Sequence, residues 1–119
     1  GDPYSCLCSK TTRLVIEKLG LTEDEYIMTF QSRFGKEPWI EPYTDETIVQ
    51  LAKDGIKNIA VICPGFSVDC LETIEEINVE NRKYFESNGG KSYHYIKALN
   101  DRDDHIEALT KIVAPYLSL

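Results

Sequence analysis

The chain has 119 residues, 42% apolar and 28% charged, which fits one globular domain with a real but modest core. Its net charge of −7 argues against a nucleic-acid partner, because such proteins neutralise phosphates with Lys and Arg; surplus acids favour solubility and attract cations. No apolar run approaches the ~20 residues of a transmembrane segment, no basic-then-apolar export signal opens the chain, and Gly1 stands where an initiating Met is expected, so the sequence reads as a piece of a longer polypeptide.

In chain order, residues 9–19 carry an apolar stripe of Leu14, Val15 and Leu19 and end at Gly20, which predicts a helix. Residues 26–31, Tyr-Ile-Met-Thr-Phe-Gln, are short, apolar and β-prone, and predict a strand. Residues 32–43 hold Gly35, Pro38 and Pro42 and predict a long loop. Thr44 followed by Asp45 and Glu46 is a helix start, with Thr44 as N-cap and the acids at the positive end of the dipole; Gly55 closes this helix. Residues 57–63 end in a continuous apolar run, the mark of a strand buried on both faces, and Pro64-Gly65 breaks it. A third helix is expected from Asp69 to Ser87, a strand over 92–97, and a last helix from Asp103 to Leu117. Strands alternating with helices imply an α/β fold: a single three-layer domain with a parallel β-sheet flanked by helices. Ligands on such sheets bind beyond the carboxyl ends of the strands, where the 32–43 loop, the 64–70 turn and Leu99-Asn100-Asp101 lie.

Three constellations fall in or beside these segments. Glu72, Glu76 and Glu80 recur every four residues, so each successive acid drifts only about 40° round an α-helix and the three share a face. Carboxylate oxygens accept hard cations, so such a row can hand an ion along; a solvated helix face explains it too. The core side of this helix is expected at Leu71, Ile74 and Ile77. Next, Phe66-Ser67-Val68-Asp69-Cys70-Leu71-Glu72 sits where a buried strand gives way to a helix. Asp69 is a natural N-cap there, and Glu72 falls in the first turn, where the dipole favours its charged form and burial opposes it. Finally, Gln31 to Trp39 places one Trp, a Phe and two cations in a loop, a lip suited to a flat aromatic ligand bearing carboxylates, or a plug for the core edge. His94 and His105 read as packing or surface residues. No nucleophile–histidine pairing, phosphate-cradling loop or dinucleotide fingerprint is present.

Cys6, Cys8, Cys63 and Cys70 do not match the usual zinc spacings. Nothing signals export, so reduced thiols in the cytoplasm are expected, with a peripheral place at the inner membrane face as the other setting. A four-cysteine iron–sulfur site is chemically conceivable, and buried free thiols are the plainer reading.

These motifs, in this order, resemble the ferrochelatase family. The resemblance runs through Gly1-Asp2-Pro3-Tyr4, Thr29 to Trp39, Pro42 to Thr47, Val61 to Phe66, Asp69 to Ile77, Tyr95-Ile96 and Leu99-Asn100. It implies one lobe, residues 1–119, of a two-lobed enzyme that inserts ferrous iron into protoporphyrin IX in a cleft between lobes. By resemblance, Glu72 is the cleft carboxylate paired with an essential histidine, and Glu72, Glu76 and Glu80 form a metal or proton route along a helix of π character, so at least one i→i+5 bond is expected. Trp39, Gln31, Ser32 and Phe66 are the implied porphyrin contacts. The family's histidine lies in a His-Ser motif just before the Gly-Asp-Pro-Tyr segment, and the N-terminal lobe is the implied partner, so this chain alone is expected to be inactive. No cofactor is required; some relatives carry a 2Fe–2S cluster, which Cys6, Cys8, Cys63 and Cys70 would have to hold. A chelatase for another tetrapyrrole or metal, and a stand-alone metal- or porphyrin-binding module, are the alternatives.

Overall fold

The computed structural model describes residues 1–117. Helix α1 spans Tyr4–Leu19 and a 3-10 turn Glu23–Glu25 follows. Helix α2 is Thr44–Lys53, strand β1 Asn58–Ile62, and a π-helix covers Glu72–Glu80. The π-helix runs straight on as α3, Asn81–Ser87, before strand β2, Ser92–Ile96, and helix α4, Asp103–Leu117. The class is α/β, a parallel sheet flanked by helices. The strands pair in register from Asn58 opposite Ser92 to Ile62 opposite Ile96.

The helix starts differ from expectation for local reasons. α1 begins five residues early because Asp2 accepts the Tyr4 N–H at 2.9 Å and the Pro3 carbonyl takes the Leu7 N–H at 2.9 Å. Asp-Pro before a helix is a start signal that the apolar stripe alone missed. Thr44 is the first residue of α2 rather than its cap. Its buried hydroxyl meets that of Thr29 at 2.7 Å, while the Tyr43 carbonyl receives the Thr47 N–H and hydroxyl.

The strand expected over 26–31 does not form. The segment runs beside residues 42–44 through a single bridge, Phe30 N–H to Pro42 O at 2.9 Å and Thr44 N–H to Phe30 O at 3.1 Å. β-prone residues make a strand only where a neighbour completes the ladder, and no described strand lies alongside.

The core sits on one face of the sheet. Ile48 and Ala52 of α2, Phe85 of α3 and Tyr93 of β2 are buried together, with Ile59, Val61 and Tyr95 packed against them. The opposite face, carrying Ala60, Ile62, His94 and Ile96, is exposed, so β1 is not buried on both faces as its apolar run suggested. Phe85 is fully buried, and Gly90 lets the chain turn over it: a Cβ at Gly90 would lie 2.2 Å from the ring. Tyr93 closes the core from β2 by donating its hydroxyl to the Ile77 carbonyl at 2.6 Å.

Candidate functional site

The carboxyl ends of β1 and β2 open into two turns that a single carboxylate ties together. After Cys63 the chain reverses, with the Phe66 N–H on the Cys63 carbonyl at 3.1 Å. Asp69 then accepts the Tyr95 hydroxyl at 2.6 Å, the Asn100 amide at 2.9 Å, the Thr73 hydroxyl at 3.0 Å and the Ala98 N–H at 3.4 Å. Asn100 returns the contact, its Oδ1 taking the Asp69 N–H at 2.8 Å. These bonds hold the Asp69 carboxyl down to about 2, the Tyr95 hydroxyl contributing most and Asn100 next. Tyr95 is pushed up to about 12, by burial first and then by its bond to Asp69. Asp69 is thus a tertiary tie between the β1 and β2 ends, not the helix cap expected of it. His105 joins the same knot through Nδ1, 2.7 Å from the Asn100 carbonyl.

The π-helix begins at Glu72. Its inward row is Thr73, Ile77 and Asn81, all buried, whereas Leu71 (71% exposed) and Ile74 (45% exposed) face outward. Of the three apolar positions expected to face the core, only Ile77 does. In a ladder bonded i→i+5, residues four apart keep nearly one bearing, so 73, 77 and 81 form one line and 72, 76 and 80 the line beside it. Glu72 and Glu80 are exposed and Glu76 is half-buried. Glu76 and Glu80 line a hollow with Ser32, Arg33, Asp45, Asn81 and Tyr84. The buried Nδ2 of Asn81 has no partner among the described residues. The Cys70 thiol donates to Glu72 Oε2 at 3.1 Å, and that bond lowers the Glu72 carboxyl below its ordinary value.

The lip lies against this helix. The Trp39 indole N–H donates to the Gln31 carbonyl at 3.1 Å, and the Gln31 side chain reaches the Glu72 carbonyl at 3.3 Å and the Ser32 hydroxyl at 3.2 Å. Ser32 gives both its backbone N–H (2.6 Å) and its hydroxyl (2.7 Å) to the two oxygens of Glu76. Arg33 turns the other way, 3.3 Å from Asp45 and from Glu46 and 4.2 Å above the Tyr43 ring, so it is spent on α2 and not offered to a ligand carboxylate. The first turn of α1 touches this end of the molecule, with the Tyr4 ring 6.4 Å from that of Phe30.

The structure therefore brings together Gln31, Ser32, Trp39, Glu72 and Glu76, with Glu80 one turn further along. Phe66 is half-buried in the turn after β1. Asp69, Cys70, Thr73, Tyr95 and Asn100 were not singled out in these roles from sequence; only the Asp69–Thr73 spacing and Asn100 in the last turn hinted at them. The four cysteines do not converge. Cys6 and Cys8 ride on α1, Cys63 follows β1 with its thiol pushed up to about 11 by burial, and Cys70 faces Glu72. Among the described residues no three His, Cys, Asp or Glu side chains gather as a metal-holding group, neither the thiols nor the expected metal row Glu72, Glu76 and Glu80. No helix among the described residues is long and apolar enough to cross a membrane.

The chain matches the ferrochelatase family over residues 1–117. It is 64% identical over 113 residues to a ferrochelatase of Hydrogenovibrio crunogenus, covering 95% of this chain and 30% of the relative. It is 56% identical over 117 residues to ferrochelatase 2 of Shewanella oneidensis, covering 98% and 36%. A ferrochelatase of Haemophilus influenzae is 57% identical over 118 residues, covering 99% and 36%. The chain spans about a third of the length of the curated relatives it matches.

Proposed function

The chain belongs to the ferrochelatase family, and we propose that it is the C-terminal lobe of an enzyme that inserts ferrous iron into protoporphyrin IX to form protohaem. The observation that carries this reading is the join between lip and helix: Gln31, whose carbonyl holds Trp39, also holds the first carbonyl of the π-helix at Glu72. An aromatic wall and a carboxylate are thereby fixed side by side, as a reaction between a flat macrocycle and a cation requires.

In this reading Glu72 is the catalytic carboxylate. It takes pyrrole protons together with an imidazole supplied by the longer chain. The family's His-Ser motif precedes Gly1-Asp2-Pro3-Tyr4, and the packing of Tyr4 on Phe30 supports an entry of that segment beside Gln31 and Ser32. Ferrous iron, a substrate here, sheds water onto the carboxylate row Glu72, Glu76 and Glu80. Trp39, Gln31, Ser32 and Phe66 line the porphyrin's place, and bending of the ring exposes the pyrrole nitrogen, ground-state strain toward the transition state. The partner is the N-terminal lobe of the same protein, and the setting is the cytoplasm, with a peripheral place at the inner membrane face as the other setting. In the full-length enzyme, Glu72→Gln is expected to cut kcat for iron insertion by about 10²–10⁴-fold, because Gln keeps the shape but accepts no proton. Glu80→Gln is expected to cost far less. Equal, mild losses at both positions would mean that the row is a solvated helix face.

A further inference from the structure

Glu76 differs from its two neighbours in the acid row. Each of its two oxygens accepts a bond from Ser32, one from the N–H at 2.6 Å and one from the hydroxyl at 2.7 Å, short bonds of the charge-assisted kind. Ser32 itself sits at φ 62°, a left-handed conformation that a residue with a side chain adopts only when its surroundings hold it there. Glycine takes that φ freely, but only a residue with a hydroxyl makes the second bond to Glu76.

The clamp reaches further than one residue. Gln31 precedes Ser32, bonds its hydroxyl at 3.2 Å, and carries Trp39 on its carbonyl. Arg33 follows and is fastened to Asp45 and Glu46 on α2. The start of the lip is thus suspended between α2 and the π-helix, and Glu76 is the charged member of the second attachment. A cation binding at Glu76 competes with Ser32 for the same carboxylate charge. We propose that Glu76 is a positioning residue, the latch that holds Ser32 and through Gln31 sets Trp39, so that it governs porphyrin binding more than iron binding. This rests on the cleft reading above and narrows the part Glu76 plays in it.

The test uses the full-length enzyme with Glu76→Gln, Ser32→Ala and the double variant. Ser32→Ala leaves all three carboxylates intact and removes one arm of the clamp. KM for protoporphyrin is expected to rise about tenfold in each single variant, the size of one charge-assisted hydrogen bond, with KM for ferrous iron within about twofold of wild type. The double variant is expected to be no worse than the weaker single, because both substitutions open one latch. Amide exchange over residues 31–39, measured without substrate, is expected to quicken in both singles. A raised iron KM with an unchanged porphyrin KM in Glu76→Gln, full additivity of the two substitutions, or unaltered exchange would overturn the latch. If the wild-type enzyme inserts no iron, the cleft reading falls, and the exchange measurement still decides the latch by itself.

Discussion

At the scale of single residues, Asp69 carries a consequence for pH. Its folded pKa of about 2 lies below the ordinary carboxylate value of 3.8, so on acidification the unfolded chain takes up this proton first. The stabilisation is complete above about pH 4 and drains away as the pH falls toward 2. Discounted for partial exposure, it amounts to about 1–2 kcal/mol. Urea denaturation at pH 5 is expected to show Asp69→Asn less stable than wild type, and the difference should shrink at pH 2.5. A gap of the same size at both pH values would mean that Asp69 matters through shape and not charge. The spacing of Glu72, Glu76 and Glu80 was legible in the sequence, because it is a local repeat. The partners of Asp69 and Glu76 were not: Asn100 lies 31 residues from Asp69 and Ser32 lies 44 from Glu76, and no local pattern encodes such meetings.

At the scale of elements, the π-helix explains both a success and an error. The i→i+5 ladder over Glu72–Glu80 agrees with the expectation that the family resemblance raised. Counting the core side with an α-helical period, however, put Leu71 and Ile74 inward, whereas the wider winding turns Thr73, Ile77 and Asn81 there. Deleting exposed Glu75 should restore an α-ladder and leave Glu72 only three residues from Glu76, about 60° round the helix from it. Iron insertion by the full-length enzyme is then expected to fall by at least about 10²-fold, the usual effect of ångström-scale misplacement, with little change in melting temperature. Unchanged turnover would show that the row's alignment does no chemistry. The segment 26–31 carries the opposite lesson, since its β-prone residues stay extended without a sheet for want of an adjacent strand. The turn before β2 is fixed by packing. Gly90→Ala drives a methyl into the Phe85 ring, and the expected loss is about 1–3 kcal/mol in chemical denaturation.

At the scale of the molecule, the described residues do not close on themselves. The radius of gyration is 16.4 Å, against about 14 Å for a compact domain of this length. Neither α1 nor α4 buries a residue, and Leu7, Leu14, Leu19, Ile106, Ile112 and Leu117 all stand exposed. The amphipathic stripes of these helices were plain in the sequence, but a stripe does not say what covers it. Chain 1–119 alone is therefore expected to bind a dye for exposed apolar surface more strongly than the full-length enzyme; equal binding would mean that these faces stay uncovered in the whole protein. Neither histidine is bonded to Glu72: His94 lies on the open face of β2 and His105 bonds Asn100. In the proposed reading Glu72 works with an imidazole of the longer chain, and groups that act as a unit fail together when one is removed. The most direct measurement is the anaerobic initial rate of ferrous iron insertion into protoporphyrin, for the full-length enzyme and for chain 1–119 side by side. Turnover by the full-length enzyme, with the isolated chain below a tenth of that rate, is the expected result; no insertion by the full-length enzyme, or an isolated chain within tenfold of it, would contradict the account.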